Sequence, residues 1–271
     1  MTASRITSAR VRSVEDLLGD RDLQVVEVLR QVRVATTKQL ERLVFFDGSP
    51  LSNSRRCQRT LERLTGWRVV TRLDRRVGGT RAGSAEFIYS LDTLGQRLAG
   101  VAGPVGGGRP RRPWTPSLPF LRHSLTVSEL FVRLTEVSRM AGFAIEAFDT
   151  EPGCWRAFTG PAGEFEFLKP DAYVRLGTEE FTEQTFVEVD CATESGPALA
   201  RKFDRYRLYW MSGSEQRRRG VFPRVVWLVP DARRSDQLLD VASRQPAEAW
   251  KLYQVAEYDE AIRALVGGSG G

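Results

Sequence analysis

The sequence predicts an α+β chain in two parts, a mainly helical N-terminal domain and an α/β domain with a central mixed sheet. Apolar residues recur at helical spacing in three successive segments before residue 66, and two short β-rich stretches follow. A stretch rich in Gly and Pro occupies residues 101–119, as an inter-domain linker would. Beyond it, runs of Val, Ile and aromatic residues alternate with helical patterns. A length of 271 residues suffices for two cores.

Taken in order, residues 1–19 read as a polar, flexible leader. A first helix begins at Asp22, with Leu23, Val26 and Leu29 on its apolar stripe. Thr36 and Thr37 offer a cap for a second helix that buries Leu40, Leu43 and Val44. Asp47-Gly48-Ser49-Pro50 breaks it, and Ser52, Asn53 and Ser54 are candidate caps for a third helix running to about Thr65. A strand over 67–73, an arginine- and glycine-rich loop and a second strand over 86–91 follow, with Asp92 capping a short helix that ends near Gly100. Three helices and then two strands joined by a charged loop make a winged helix-turn-helix over residues 20–100.

The second domain, 120–266, opens on a long helix over 120–140. Strands are expected at 143–148, 172–176, 185–190 and 225–229, with a weaker one at 252–255. Helices are expected at 197–211, 235–243 and 259–265, and residues 267–271 form a flexible tail. The apolar runs around Val187 and Val226 suit central strands buried on both faces.

Charge divides as the domains do. Residues 1–119 carry 21 Lys and Arg against 11 Asp and Glu, whereas residues 120–271 carry 19 against 23. A basic half joined to an acidic one is the electrostatic footprint of a nucleic-acid-binding module attached to something else. Nearly all the positive charge is arginine, a bias that a GC-rich genome also produces. No apolar run approaches the length of a membrane span. Three widely spaced cysteines, Cys57, Cys154 and Cys191, suggest neither a disulfide framework nor a zinc site, and fit a reducing cytosol. The expected location is cytoplasmic, with the nucleoid or a plasmid.

On the third helix Cys57, Leu61 and Leu64 form an inward stripe, and Arg56, Arg59 and Arg63 lie opposite, flanked by Arg55 and Gln58. Such a helix fits the major groove, its arginines meeting phosphates or guanine edges. Arg72, Arg75, Arg76 and Arg81 sit on the expected wing, where they would grip the adjacent backbone. The expected partner is double-stranded DNA, with homodimers on a palindromic site an option. Neither a membrane nor a small-molecule cofactor is expected.

The acidic half carries a second constellation. Lys169-Pro170-Asp171 precedes one strand, Glu188 and Asp190 share a face of the next, and Lys202 lies on the following helix. Two carboxylates side by side on a core strand repel each other, and a divalent cation such as Mg²⁺ or Mn²⁺ would resolve the conflict. Asp171, Glu188 and Asp190 are the candidate ligands. Glu129, on the preceding helix, is a further candidate. With His123 the single histidine, a histidine-cluster relaxase cannot be assembled, and no Ser-His-Asp site is visible.

Pro170-Asp171, then Glu188-Val189-Asp190, then Lys202 resembles the PD-(D/E)xK nuclease pattern. More closely, the N-terminal winged helix, the helix from His123 to Leu134, KPDAYVRL, FVEVDCATES and KFDRYRLYW are together similar to the actinobacterial replication-relaxation family of plasmids and integrated elements, over roughly residues 20–255. The resemblance implies a nuclease-like α/β domain in which Asp171 and Glu188 hold the metal and Lys202 is a catalytic lysine that has migrated to the helix. Asp190 stands where that pattern has its lysine, so either Lys202 substitutes, or Asp190 acts as a third ligand, or the site is inactive and the fold survives for binding. The implied function is a DNA-binding protein of a plasmid or mobile element, possessing a Mg-dependent endonuclease or nickase activity in replication or transfer. The alternative is a non-catalytic winged-helix regulator or replication accessory factor with a degenerate nuclease-like domain. A third option is an interaction module that binds a protein partner without DNA affinity.

Overall fold

The computed structural model describes residues 7–73, 86–100, 116–178 and 181–267. It is an α+β chain that divides into two compact units, Met1–Val132 and Arg133–Gly271.

In the first unit, α1 (Ser8–Glu15) occupies part of the segment that reads as a leader, with Thr7 as its cap and Val14 buried. Helix α2 (Asp20–Val32) starts two residues before the expected point, and the Asp22 side chain accepts a hydrogen bond from Gly19 N at 3.1 Å. Its inward face is Val25, Val26, Leu29 and Val32, so Leu23, expected on that stripe, points outward and is 47% exposed. After the two-residue strand β1 (Ala35–Thr36), α3 (Thr37–Val44) begins with a reciprocal cap: Gln39 N donates to Thr36 Oγ1, and Thr36 N donates to Gln39 Oε1.

Helix α4 (Pro50–Gly66) is capped by Ser49 rather than by the Ser52–Ser54 group, because Pro50 suits the first helical position, where its missing N–H costs nothing. Asn53 instead turns back to bond both the N–H and the carbonyl of Gly48, at 3.0 Å each. Strands β2 (Val70–Arg72) and β3 (Ile88–Leu91) pair antiparallel, and β1 adds to the other edge of β3. Short α5 (Thr93–Leu98) closes over this sheet with Gly95 against the Val69 carbonyl, where a Cβ would lie well inside contact distance. The start of α6 (Leu118–Ser138) belongs to this unit as well: Leu121 and Leu125 pack with Val34 and Ile88, and Ser128 donates to Val34 O at 2.7 Å.

The second unit is organised by a five-stranded mixed sheet. Strands β4 (Ala144–Thr150), β7 (Ala172–Gly177) and β8 (Thr182–Val189) form an antiparallel run, β4 paired with β7 and β7 with β8. β9 (Arg224–Val229) and β10 (Tyr253–Glu257) continue parallel to β8, in the order β10-β9-β8-β7-β4. Between β4 and β7 the chain makes a separate hairpin, β5 (Arg156–Thr159) with β6 (Phe165–Leu168). Parallel neighbours require crossovers. These are α7 (Gly196–Met211) with α8 (Ser214–Arg219), and α9 (Ala232–Ser243) with α10 (Ala247–Trp250). A single 3₁₀ turn, Tyr258–Glu260, leads into α11 (Ala261–Val266).

The last five residues of both β8 and β9 are buried, as strands covered on both faces should be. An aromatic layer fills one face. Phe203 stacks on Trp227 with centroids 4.7 Å apart, and Phe186 meets Tyr173, Tyr206 and Tyr209. Among the described residues, no helix is long and apolar enough to cross a membrane.

Candidate functional site: an arginine helix and a buried carboxylate pair

The two constellations lie in different units. On α4 the inward stripe forms as expected, with Cys57, Leu61 and Leu64 buried and joined by Asn53 and Thr60. Arg55, Gln58, Arg59 and Arg63 are exposed, and Arg56 is half-buried. The arginines are not equivalent. Arg56 forms an ion pair with Asp47 and donates to Asn53 Oδ1, both at 2.6 Å. Arg63 reaches the nearly inaccessible carboxylate of Asp22 at 2.5 Å and lies over the Trp67 ring. Arg59 donates only to the Arg55 carbonyl of its own helix, and Arg55 and Gln58 have no side-chain partner among the described residues. Arg21, Arg56, Arg59 and Arg63 line an open groove between α4 and the start of α2, together with Asp20 and Asp22. The guanidinium surface is therefore partly neutralised by acids that the helical spacing alone does not disclose. Arg72 is exposed on β2, 4.3 Å from the Phe87 ring centroid. Arg75, Arg76 and Arg81 lie outside the described residues.

In the second unit, pairing of Ala172 with Val187 places Asp171 opposite Glu188 one step further along. Asp171 is anchored there: its N–H donates to Val187 O at 3.1 Å, and its Oδ2 accepts from Val189 N at 2.7 Å. Glu188 is fully buried at the centre of the sheet. Two side chains of α7, four residues apart and hence on one face, come down on it: Tyr206 OH donates to Oε1 at 2.6 Å, and Lys202 Nζ stands 2.7 Å from Oε2. The ammonium also lies 3.3 Å from Glu194 and over the Trp227 ring.

Burial pushes the Glu188 carboxyl up to about 8, although Lys202 works against it. Burial likewise works to lower Lys202, but the carboxylates of Glu188, Asp171 and Glu194 outweigh it and hold the ammonium above its ordinary value. Burial also raises Tyr206, which remains a phenol donating to Glu188.

Asp190 departs from the expected ligand set. Arg234 of α9 grips it from Nε and Nη2, the latter 2.8 Å from Oδ2, and Ala192 N also donates to its carboxylate. Repulsion between Glu188 and Asp190 is thus relieved by two different bases rather than by a shared cation. Glu129 is likewise committed, to Arg42 at 2.6 Å and Gln39 at 3.0 Å in its own unit. Among the described residues no group of three or more His, Cys, Asp or Glu side chains could hold a metal ion. What remains for a cation is the facing pair Asp171 and Glu188, the one or two carboxylates that Mg²⁺ commonly takes alongside waters.

A model of the family described as Replication-relaxation matches residues 26–225. The chain belongs to the replication-relaxation family. The matched span takes in α4, the Asp171–Glu188 pair, Lys202 and most of the second unit's sheet, so both constellations lie inside the family's region. Family membership points to a role in replication or in mobile-element processes. No curated protein and no solved structure matches this replication-relaxation chain.

The sequence reading found Lys202 through its position on the helix after the Glu188 strand. It missed Arg234, which lies 44 residues beyond Asp190 and carries no local signal. The i, i+4 relation of Tyr206 to Lys202 points its ring at the same strand, and the acceptor of its hydroxyl there is Glu188.

Proposed function

We propose that this chain is a DNA-binding protein of a plasmid or mobile element whose second unit is a PD-(D/E)xK-like, metal-dependent DNA nuclease or nickase. One juxtaposition carries the reading: Lys202, delivered by a helix, meets Glu188 on the central strand, directly across from Asp171. In this proposal Asp171 and Glu188 would hold Mg²⁺ or Mn²⁺, which when bound supplies an activated water and neutralises charge at the scissile phosphate. Lys202 offers a cation for the developing charge, and Tyr206 fixes the orientation of Glu188. Arg234 keeps Asp190 out of the ligand set.

Duplex binding is assigned to a winged helix in the first unit. Three helices followed by an antiparallel β-pair support it, with Arg55, Gln58 and Arg59 the side chains open to DNA. Arg56, Arg63 and Arg72 would join by exchanging present contacts for phosphates, and Arg75, Arg76 and Arg81 complete the proposed set.

A second reading, a non-catalytic regulator or accessory factor, is favoured by one observation: Lys202 and Arg234 already neutralise Glu188 and Asp190 without any cation. Incubation with supercoiled plasmid separates the two. The nuclease reading expects Mg²⁺- or Mn²⁺-dependent nicking, abolished in Asp171→Ala and Glu188→Ala while duplex affinity persists. Duplex binding without nicking across a range of metals and DNA structures would establish the regulator instead.

A further inference from the structure

The β5–β6 hairpin stands apart from the five-stranded sheet and has two unlike faces. Inward, Phe158 and Leu168 join the core of the second unit. Outward, Phe165 is 72% and Phe167 41% exposed, an expensive display of aromatic surface in water. Their ring centroids lie 5.0 Å apart, edge to face. Opposite each ring the partner strand carries only a small side chain, Ala157 facing Phe167 and Thr159 facing Phe165, which leaves the flanks of both rings unfilled.

A cation stands in the same row. Lys169 Nζ lies 4.6 Å from the Trp155 ring centroid and 6.0 Å from that of Phe167. Among the described residues Lys169 has no carboxylate partner, unlike Lys38 and Lys202, which are matched to glutamates. Because the two rings stand perpendicular, each offers its own face to a base rather than joining one continuous stack.

We propose that this outward face, Phe165, Phe167 and Lys169, with half-buried Trp155 at its inner edge beneath the ammonium, is a stacking platform for unpaired bases of single-stranded DNA, with Lys169 meeting a phosphate. The face is sequence-tolerant in kind, since every base has a π-face. Its placement relative to the carboxylate pair is set by two links. The chain leaves β6 at Leu168 and passes through Lys169 and Pro170 to Asp171, and Arg205, three residues past Lys202 on α7, binds Glu166 and donates to Phe167 O at 3.3 Å. The platform and the Asp171–Glu188–Lys202 site are thereby tied by a two-residue connection and by one helix. The inference rests on the proposed reading of the chain as acting on DNA, and extends it from duplex to unpaired strand.

Fluorescence anisotropy with the full chain tests it, using labelled oligo-dT and a blunt labelled duplex side by side. Phe165→Ala/Phe167→Ala should weaken oligo-dT binding by roughly tenfold or more for each stacked base lost. Duplex affinity and the thermal melt should stay unchanged. Lys169→Gln should weaken oligo-dT binding less and lower its salt slope by about 0.7, one phosphate contact. Arg55→Glu/Arg59→Glu should do the converse, losing duplex and sparing oligo-dT. Absent duplex binding with ring-dependent oligo-dT binding would sink the winged-helix reading and leave the platform standing. The platform itself is overturned by a wild type that ignores oligo-dT, by ring variants that bind it normally, or by equal losses on both DNAs. It is also overturned if the ring substitutions abolish a self-dimer seen by sedimentation, or adsorption to anionic vesicles, without changing oligo-dT affinity.

Discussion

Replacing Lys202 by Met removes the ammonium from a carboxylate that has no exposure to water. Glu188 would keep the Tyr206 hydroxyl on Oε1, but Oε2 would lose its cation and Asp171 would remain opposite. Breaking a buried pair from one side costs about 3–5 kcal/mol. Lys202 keeps a quarter of its side chain exposed, so the lower end, about 3 kcal/mol, applies. For a unit of this size that is a drop of roughly 10 °C in melting temperature. The loss should depend on pH with a definite sign. Burial already lifts Glu188 to about 8 from an ordinary 4.5, and removal of the ammonium lifts it further. A carboxyl raised on folding favours the fold fully below its unfolded value and loses that contribution as pH rises through its folded value. The deficit of Lys202→Met is therefore smallest at about pH 5 and largest at about pH 9. Trp227 fluorescence is a local readout, because that ring lies under the Lys202 ammonium and stacks on Phe203. The double variant Glu188→Gln/Lys202→Met, with both charges gone, should recover most of the loss. A deficit that is flat across this pH range, or below about 1 kcal/mol at its upper end, would refute the pairing.

Three further outcomes follow from the geometry. Arg55→Glu/Arg59→Glu should lower the slope of log affinity against log salt for duplex DNA by about 1.8, two phosphate contacts, without a change in melting temperature. By contrast Arg63→Glu should also destabilise the first unit, since it strands the buried Asp22 carboxylate; equal stability of the two variants would contradict the distinction drawn between these arginines. Alkylation followed by mass spectrometry should label half-buried Cys191 in the native protein well before Cys57 and Cys154, both buried, the Cys57 thiol being pushed up to about 12. Gly95→Ala should lower the melting temperature of the first unit, because the new methyl meets the Val69 carbonyl; a neutral result would mean that α5 can move aside at no cost.

The sequence made the central strands and the α4 stripe legible because both rest on local patterns. Val187 and Val226 sit in apolar runs that only a two-sided core requires, and Cys57, Leu61 and Leu64 keep helical spacing on the buried side. Errors arose where two local rules competed. Pro50 reads as a breaker and so hides Ser49 as the α4 cap, although at the first helical turn proline is at home. Spacing alone turns Leu23 inward, whereas the face of α2 is set by Val25, Leu29 and Val32. The β5–β6 hairpin was missed although Phe165-Glu166-Phe167-Leu168 alternates, because its apolar residues point out as well as in. For the candidate site, one strand and the helix after it were enough to bring Lys202 towards Glu188. The capture of Asp190 by Arg234 depends on how α9 returns across the sheet, which no spacing encodes.

The separate answers to Glu188 and Asp190 give the end of β8 an addressing function. Its two acids, two residues apart, each accept a base of different shape: a point-like ammonium from one helix and a planar, two-pronged guanidinium from another. These bases are not interchangeable, so the acids label which crossover belongs at which position. Exchanging them, as Lys202→Arg with Arg234→Lys, preserves every charge yet should leave each helix misseated on its mark.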